Sequence, residues 1–228
     1  MSGTTLSLNL GADAQPAPVR IERLVIAGWT GRDKRAVEVH IRELEALGVK
    51  RPATTPIFYR VGASRLTLAD SIEAIGTHSS GEAEVVLLQS RGRLWVGVGS
   101  DHTDREVEAY GVTVSKQMCD KPIAAHFWAF EDVKAHWDSL QLRSRIEENG
   151  EQIIYQEGLA AAFLEPRELI RGYAHSDTLP EHTLMFCGTL AAKGGVRAAE
   201  RFAFDLEDPV LGRKIQRHYR TVTLPIAG

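Results

Sequence analysis

An α+β fold is the class this sequence predicts, and three observations carry the prediction. Segments of strand character dominate. Only a few helical segments interrupt them. No regular strand–helix alternation runs along the chain. A doubly wound sheet or a TIM barrel requires that alternation, so both are disfavoured. The chain has 228 residues, a length that fits one domain. The expected division is a flexible lead-in over 1–19 and a single domain over 20–228.

The elements follow in order. Gly11–Pro18 holds two prolines and reads as flexible, while Leu6–Leu10 alternates weakly and offers a short strand. Arg20–Gly28 is a better strand. Arg32–Leu47 is the clearest amphipathic helix, because Val37, Ile41, Leu44 and Leu47 recur at spacings of four and three; Gly48 then stops it. Pro56–Val61, Glu84–Gln89 and Leu94–Val98 have strand character, and Leu66–Ile75 alternates less cleanly. Asp101–Gln117 opens as a charged loop and enters a helix; Phe130–Trp137 is a short helix. Leu140–Glu147 and Gln152–Gln156 flank Asn149-Gly150, a hairpin signal. A helix is expected over Leu159–Arg171, with a restart or kink at Pro166. His182–Leu190, Glu200–Leu206 and Lys214–Leu224 close the chain as strands.

Composition excludes several functions. Lys and Arg number 27 against 30 Asp and Glu, a net charge of −3, so nucleic acid is not an expected partner. The two cysteines, Cys119 and Cys187, form no CxxC pair and support neither a disulfide framework nor a cysteine zinc site. A reducing cytoplasm is the expected compartment. The N-terminus lacks the basic and apolar regions of a secretory signal, and no apolar run approaches the roughly 18 residues of a membrane span. Neither GxGxxG nor a P-loop is present.

Four clusters carry chemistry. In Gly81-Glu82-Ala83-Glu84, two carboxylates at i and i+2 on a strand share a face and repel unless a cation stands between them. A solvated strand edge is the bland alternative. In Ser100–Glu108, Asp101 offers a third carboxylate; His102 beside it offers zinc instead, and an acidic helix start capped by Ser100 or Asp101 offers neither. In His40-Ile41-Arg42-Glu43, a carboxylate three residues from an imidazole on one helix face can orient a general base, although such pairs are mostly surface contacts. Lys116, in Ser115–Pro122, can hold an anion or protonate a carbanion. His78, just before the acidic pair, is a lesser candidate for lining the site.

Taken in order, His40-x-x-Glu43, Pro56-x-Phe58, Glu82-x-Glu84, Asp101-x-Thr103-x-Arg105, Lys116 and Gly188-Thr189 resemble the fumarylacetoacetate hydrolase family over most of the chain. The likeness is to a bacterial subgroup without an assigned reaction. It implies a mixed β-roll of the family's C-terminal type with a few peripheral helices, a homodimer, and a catalytic role for the 20–228 domain. It further implies a divalent cation, Mg²⁺ or Mn²⁺ with Ca²⁺ a further candidate, on Glu82, Glu84 and Asp101. His40 and Glu43 would activate water from a lid, and Lys116 would protonate the product enolate. Arg105, Glu108, Gly188 and Thr189 would bind the substrate, a small carboxylic acid. The implied activity is hydrolysis of a C–C bond in a 2-oxo acid or 1,3-dicarbonyl of acylpyruvate type. Oxaloacetate-type decarboxylation, tautomerisation or dienoate hydration would use the same site. A non-catalytic acid-binding protein and a structural oligomerisation domain are the alternatives of other classes. The chain departs from the family pattern in three places: Asp104-Arg105-Glu106 replaces Ala-Arg-Asp, Glu108 stands where glutamine is common, and the gap from Glu84 to Asp101 is short. These departures bear on the substrate more than on the metal.

Overall fold

The computed structural model describes residues 3–12, 14–46 and 51–227, without the side chains of His40, Glu43, Leu44 and Ala46. The N-terminal third runs β1 (Thr4–Leu10), β2 (Ala17–Ile21), β3 (Arg23–Gly28), α1 (Lys34–Ala46), β4 (Ile57–Val61), β5 (Leu66–Thr67) and β6 (Ser71–Ile75). The middle runs β7 (Ser79–Ser80), β8 (Ala83–Ser90), β9 (Arg93–Ser100), β10 (Thr103–Asp104), α2 (Arg105–Glu108), α3 (Val112–Met118), β11 (Lys121–Pro122), β12 (His126–Ala129) and α4 (Phe130–Val133). The rest is β13 (Gln141–Glu148), β14 (Glu151–Leu159), α5 (Pro166–Ala174), β15 (Thr183–Thr189), β16 (Arg201–Asp208) and β17 (Arg213–Leu224). Strands with a few short helices make this the expected α+β class.

An eight-stranded mixed sheet has the order β2-β1-β12-β9-β8-β15-β3-β4, and a five-stranded sheet the order β14-β13-β16-β17-β6. Alternation along the strands sends side chains to two cores. Val85 and Leu87 of β8 join Leu142, Phe202, Phe204 and Tyr219 of the smaller sheet in one apolar cluster, which lies between the sheets. Val86 and Leu88 turn the other way, into a second cluster with Leu8, Val19, Ile26 and Val61. Those partners come from both ends and the middle of the same eight-stranded sheet, so the sheet is curled onto its own face. This is the roll that the resemblance implies.

Local rules account for most boundaries. Asp33 caps α1, its Oδ1 accepting from the amides of Arg35 (2.9 Å) and Ala36 (3.2 Å). Asn149 and Gly150 both adopt positive φ, 53° and 82°, the turn that joins β13 to β14 as the dipeptide predicts. The expected helix over 159–171 is corrected: a 3₁₀ turn at Ala160–Ala162 is followed by a fresh start at Pro166, where Glu165 and Glu168 form a capping box. The expected lead-in over 1–19 is also corrected. Thr4–Leu10 pairs antiparallel with Ala17–Ile21 and parallel with β12, and Leu8 is wholly buried. Asn9 Nδ2 donates to the Ala14 carbonyl (2.8 Å) within the connection between these strands. Leu47 and Gly48, the expected end of α1, lie outside the described residues. Both cysteines are free and buried. No helix among the described residues is long and apolar enough to cross a membrane.

Candidate metal centre

The site forms where β8 begins and β9 ends. These strands are antiparallel neighbours with Ala83 opposite Ser100 and Glu84 opposite Gly99. The register therefore sets Glu82 and Glu84 beside Asp101, which follows β9 directly. Two bonds lock this corner: the Asp101 amide donates to the Glu82 carbonyl (2.9 Å), and the Glu82 amide donates to Ser100 Oγ (3.2 Å). One carboxylate oxygen from each of Glu82, Glu84 and Asp101 lies within 4.8 Å of the others. Oxygen ligands sit roughly 2.0–2.6 Å from Mg²⁺ or Ca²⁺, so a single cation spans such a set.

The electrostatics agree with that fit. Glu84 is 2% exposed. Burial pushes its carboxyl well above the usual range, and the charges of Asp101 and Glu82 push it further. Asp101 is wholly buried as well, yet Lys116 and Lys121 overcome the burial and hold it at about 2. Its Oδ2 accepts from Lys116 Nζ, and its Oδ1 stands 2.9 Å from Lys121 Nζ with no aligned hydrogen bond. A trio of hard oxygen donors, two of them buried and one of those forced toward neutrality by burial and its neighbours, fits a hard divalent cation.

A β-bulge supplies the next contact. Phe186 opposes Val86 and Thr189 opposes Glu84, so Cys187 and Gly188 share one place in the ladder. The freed Gly188 amide donates to Glu84 Oε2 at 2.6 Å. Thr189 Oγ1 donates to the Ala83 carbonyl (2.9 Å) and accepts from Gln156 Nε2 (2.7 Å). Gly188 and Thr189, expected to bind a carboxylate of the substrate, hold the start of β8 through these bonds.

Other expected residues converge on the trio. Asp104, not Ser100 or Asp101, caps α2, accepting from the Val107 amide (2.9 Å). Asp101 is therefore not spent on a cap and joins the acidic group. Arg105 donates through Nε to Ser80 Oγ (2.7 Å) and through Nη1 to Glu82 (3.1 Å) and Glu108 (2.9 Å). Its Nη2 makes no hydrogen bond among the described residues. Ser115 Oγ donates to the Asp104 carbonyl (2.5 Å) and docks α3, so that Lys116 Nζ meets Asp101 and lies 3.5 Å from Glu82. Burial would lower the Lys116 ammonium, but Asp101 and Glu82 raise it, and it keeps its charge.

His40 and Glu43 lie on α1, and their side chains are outside the described residues. His78 is exposed, stands 3.7 Å from Glu106 and is not part of the acidic group. The zinc alternative at His102 is corrected too: its Nδ1 bonds the Tyr219 hydroxyl (2.8 Å), and it is not part of the acidic group. Burial pushes its imidazole down to about 3, and Lys121 and Arg105 push the same way. The folded chain resists this proton while the unfolded chain takes it below the ordinary 6.5. Stability from this group is therefore full above 6.5 and falls toward about 3, by about 1.4 kcal/mol per pH unit. Urea melts between about pH 7 and pH 4 check it. A folded His102→Asn variant is expected to flatten the slope.

Three contributors escape sequence reasoning. Lys121 was visible beside Lys116, but nothing in the spacing marks which lysine meets Asp101. Gln156, from β14, accepts the Ala83 amide (3.0 Å) and bridges the two sheets; an isolated glutamine carries no signal. Tyr59 of β4 is half-buried. Burial pushes its phenol up, and the charge of nearby Lys116 draws it back.

Residues 27–219 match the profile of DUF2848, a family described as a protein of unknown function. No curated protein sequence matches. The fold is similar to that of fumarylpyruvate hydrolase from Pseudomonas aeruginosa, solved with Mn²⁺ and pyruvate (17% identity, TM-score 0.59, covering 98% of this chain and 97% of that one). It is also similar to 2-keto-3-deoxy-D-arabinonate dehydratase with magnesium and 2,5-dioxopentanoate (12%, TM-score 0.66, 94% and 78%). A third is 4-oxalocrotonate decarboxylase from Pseudomonas putida G7 with calcium and acetate (18%, TM-score 0.53, 87% and 76%). By sequence the chain belongs to the DUF2848 family, and its fold is that of the fumarylacetoacetate hydrolases.

Proposed function

We propose that the chain is a divalent-metal-dependent enzyme that hydrolyses a C–C bond in a 2-oxo acid or 1,3-dicarbonyl of acylpyruvate type. The observation that carries this reading is the trio of Glu82, Glu84 and Asp101, its last two members buried, with Lys116 and Arg105 against it. When bound, the Mg²⁺ or Mn²⁺ ion supplies Lewis acidity toward a substrate carbonyl. Arg105 is braced by Ser80, Glu82 and Glu108, and its remaining Nη2 arm grips the substrate carboxylate. Lys116 keeps a positive charge beside the position where negative charge develops, and it returns a proton to the enolate carbon. His40, oriented by Glu43, takes the proton from water. The residue leaving β3 toward the lid helix, Thr30, packs against Gly188, so the root of the lid is anchored at the centre. The protein acts in the cytoplasm as a homodimer, which light scattering behind a sizing column checks.

The test is an assay of metal-stripped and Mn²⁺-reloaded protein against acylpyruvates, oxaloacetate and 2-oxopentenoates. Metal-dependent release of pyruvate and a free acid from an acylpyruvate is the expected result. Turnover of oxaloacetate or a pentenoate alone would reassign the reaction to a lyase. His40→Ala is expected to slow hydrolysis by about 10³-fold while leaving Mn²⁺ binding unchanged. Hydrolysis that persists in this variant would remove His40 as the base.

A further inference from the structure

Lys121 opens β11, which runs parallel to β5 with Lys121 opposite Leu66. Its side chain is 0% exposed. The ammonium donates to the His102 carbonyl at 2.5 Å and stands 2.9 Å from Asp101 Oδ1. Asp101 therefore faces a lysine on each oxygen, since Lys116 holds Oδ2. Lys116 and Arg105 retain some exposure, but Lys121 has none and no room to withdraw.

We propose that Lys121 is a fixed counter-charge that makes divalent-metal binding conditional on an anionic, chelating 2-oxo acid; this rests on the metal-centre reading above. Among the described residues, four carboxylates (Glu82, Glu84, Asp101, Glu108) stand against three cations (Arg105, Lys116, Lys121). The attraction that three carboxylates exert on a divalent cation is thereby largely offset before the cation arrives. A 2-oxo acid restores it, because its carboxylate brings negative charge and its two oxygens chelate. Metal and acid then strengthen each other's binding by the same factor. Lys121 is a positioning residue: it touches Asp101 and not the substrate.

Mn²⁺ titrations, read by the electron paramagnetic resonance of the free ion, test this with and without saturating pyruvate. In the unaltered chain, pyruvate is expected to tighten Mn²⁺ binding by about tenfold or more. Lys121→Gln is expected to bind Mn²⁺ more tightly without pyruvate and to show a smaller pyruvate effect. A merely structural lysine predicts the reverse, weaker binding in the variant. Circular dichroism reports folding, and Lys121→Met replaces the glutamine variant if that one fails to fold. Equal Mn²⁺ affinity with and without pyruvate in the unaltered chain, or weaker binding in a folded variant, overturns the proposal and leaves the metal centre standing. Absence of Mn²⁺ binding under both conditions removes the metal centre itself.

Discussion

Glutamine at position 84 is expected to do two opposite things: abolish tight Mn²⁺ binding and raise the stability of the metal-free chain. The binding loss follows from the trio, where Glu84 is one of three oxygen donors within 4.8 Å of one another. Losing it should weaken Mn²⁺ by more than about 100-fold, at the upper end of what even outer partners of a metal site contribute. The stability gain follows from the environment. Burial, Asp101 and Glu82 all disfavour the ionised carboxylate. An amide keeps the shape and still accepts the Gly188 amide bond without the charge. The pH dependence has a definite sign. The folded-state pKa of Glu84 is raised above the ordinary 4.5, so this group's contribution is full below that value and is lost as pH rises. Glu84→Gln should remove that decline from metal-free melts. Asp101→Asn is the contrast. It too should lose Mn²⁺, but it leaves the Lys116 and Lys121 ammoniums facing a neutral group, which should destabilise the chain by about 3–5 kcal/mol. Calorimetric titration and thermal melts of both variants check the pair of outcomes. Unchanged Mn²⁺ content in both would remove the site assignment.

Physical locality explains what the sequence showed and what it hid. The Asn149-Gly150 turn, the Asp33-capped helix and the acidic corner at Glu82 and Glu84 are set by neighbours within a few residues, and all were legible. The α+β class was legible from the missing alternation. Strand β1 showed only as a weak alternation over Leu6–Leu10, and its place in the sheet did not show, because Leu8 is buried by residues far along the chain. The break between β8 and β9 was legible, but what holds its turn was hidden for the same reason. Arg91 adopts positive φ with its amide held by Glu181 at 2.5 Å, a partner ninety positions away. In the site, the order of motifs named the carboxylates. It did not show that Gly188 sits in a bulge against Glu84, because a register slip between β15 and β8 is invisible until the strands pair.

Gly188→Ala is expected to cost the chain stability and metal affinity together. The residue sits at φ +106°, a backbone conformation that side chains rarely adopt, at a cost of about 1–3 kcal/mol. An added Cβ would stand 1.8 Å from Thr30 Oγ1 and 3.1 Å from Thr30 Cβ, so Thr30 must move. It has little freedom to do so: Thr30 is 3% exposed, and its carbonyl accepts the Leu164 amide at 2.8 Å. Overpacking of this kind adds about 1–3 kcal/mol. The sum, about 4 kcal/mol, should lower the melting temperature by roughly 10 °C for a chain of this size. The same shift pulls the Gly188 amide off Glu84 Oε2, so Mn²⁺ binding should weaken together with stability. The double variant Gly188→Ala with Thr30→Gly separates the two causes. It relieves the collision but not the backbone strain, and should recover about half of the lost stability. Recovery of all of it would show that the bulge tolerates a side chain and that Thr30 alone had demanded glycine there.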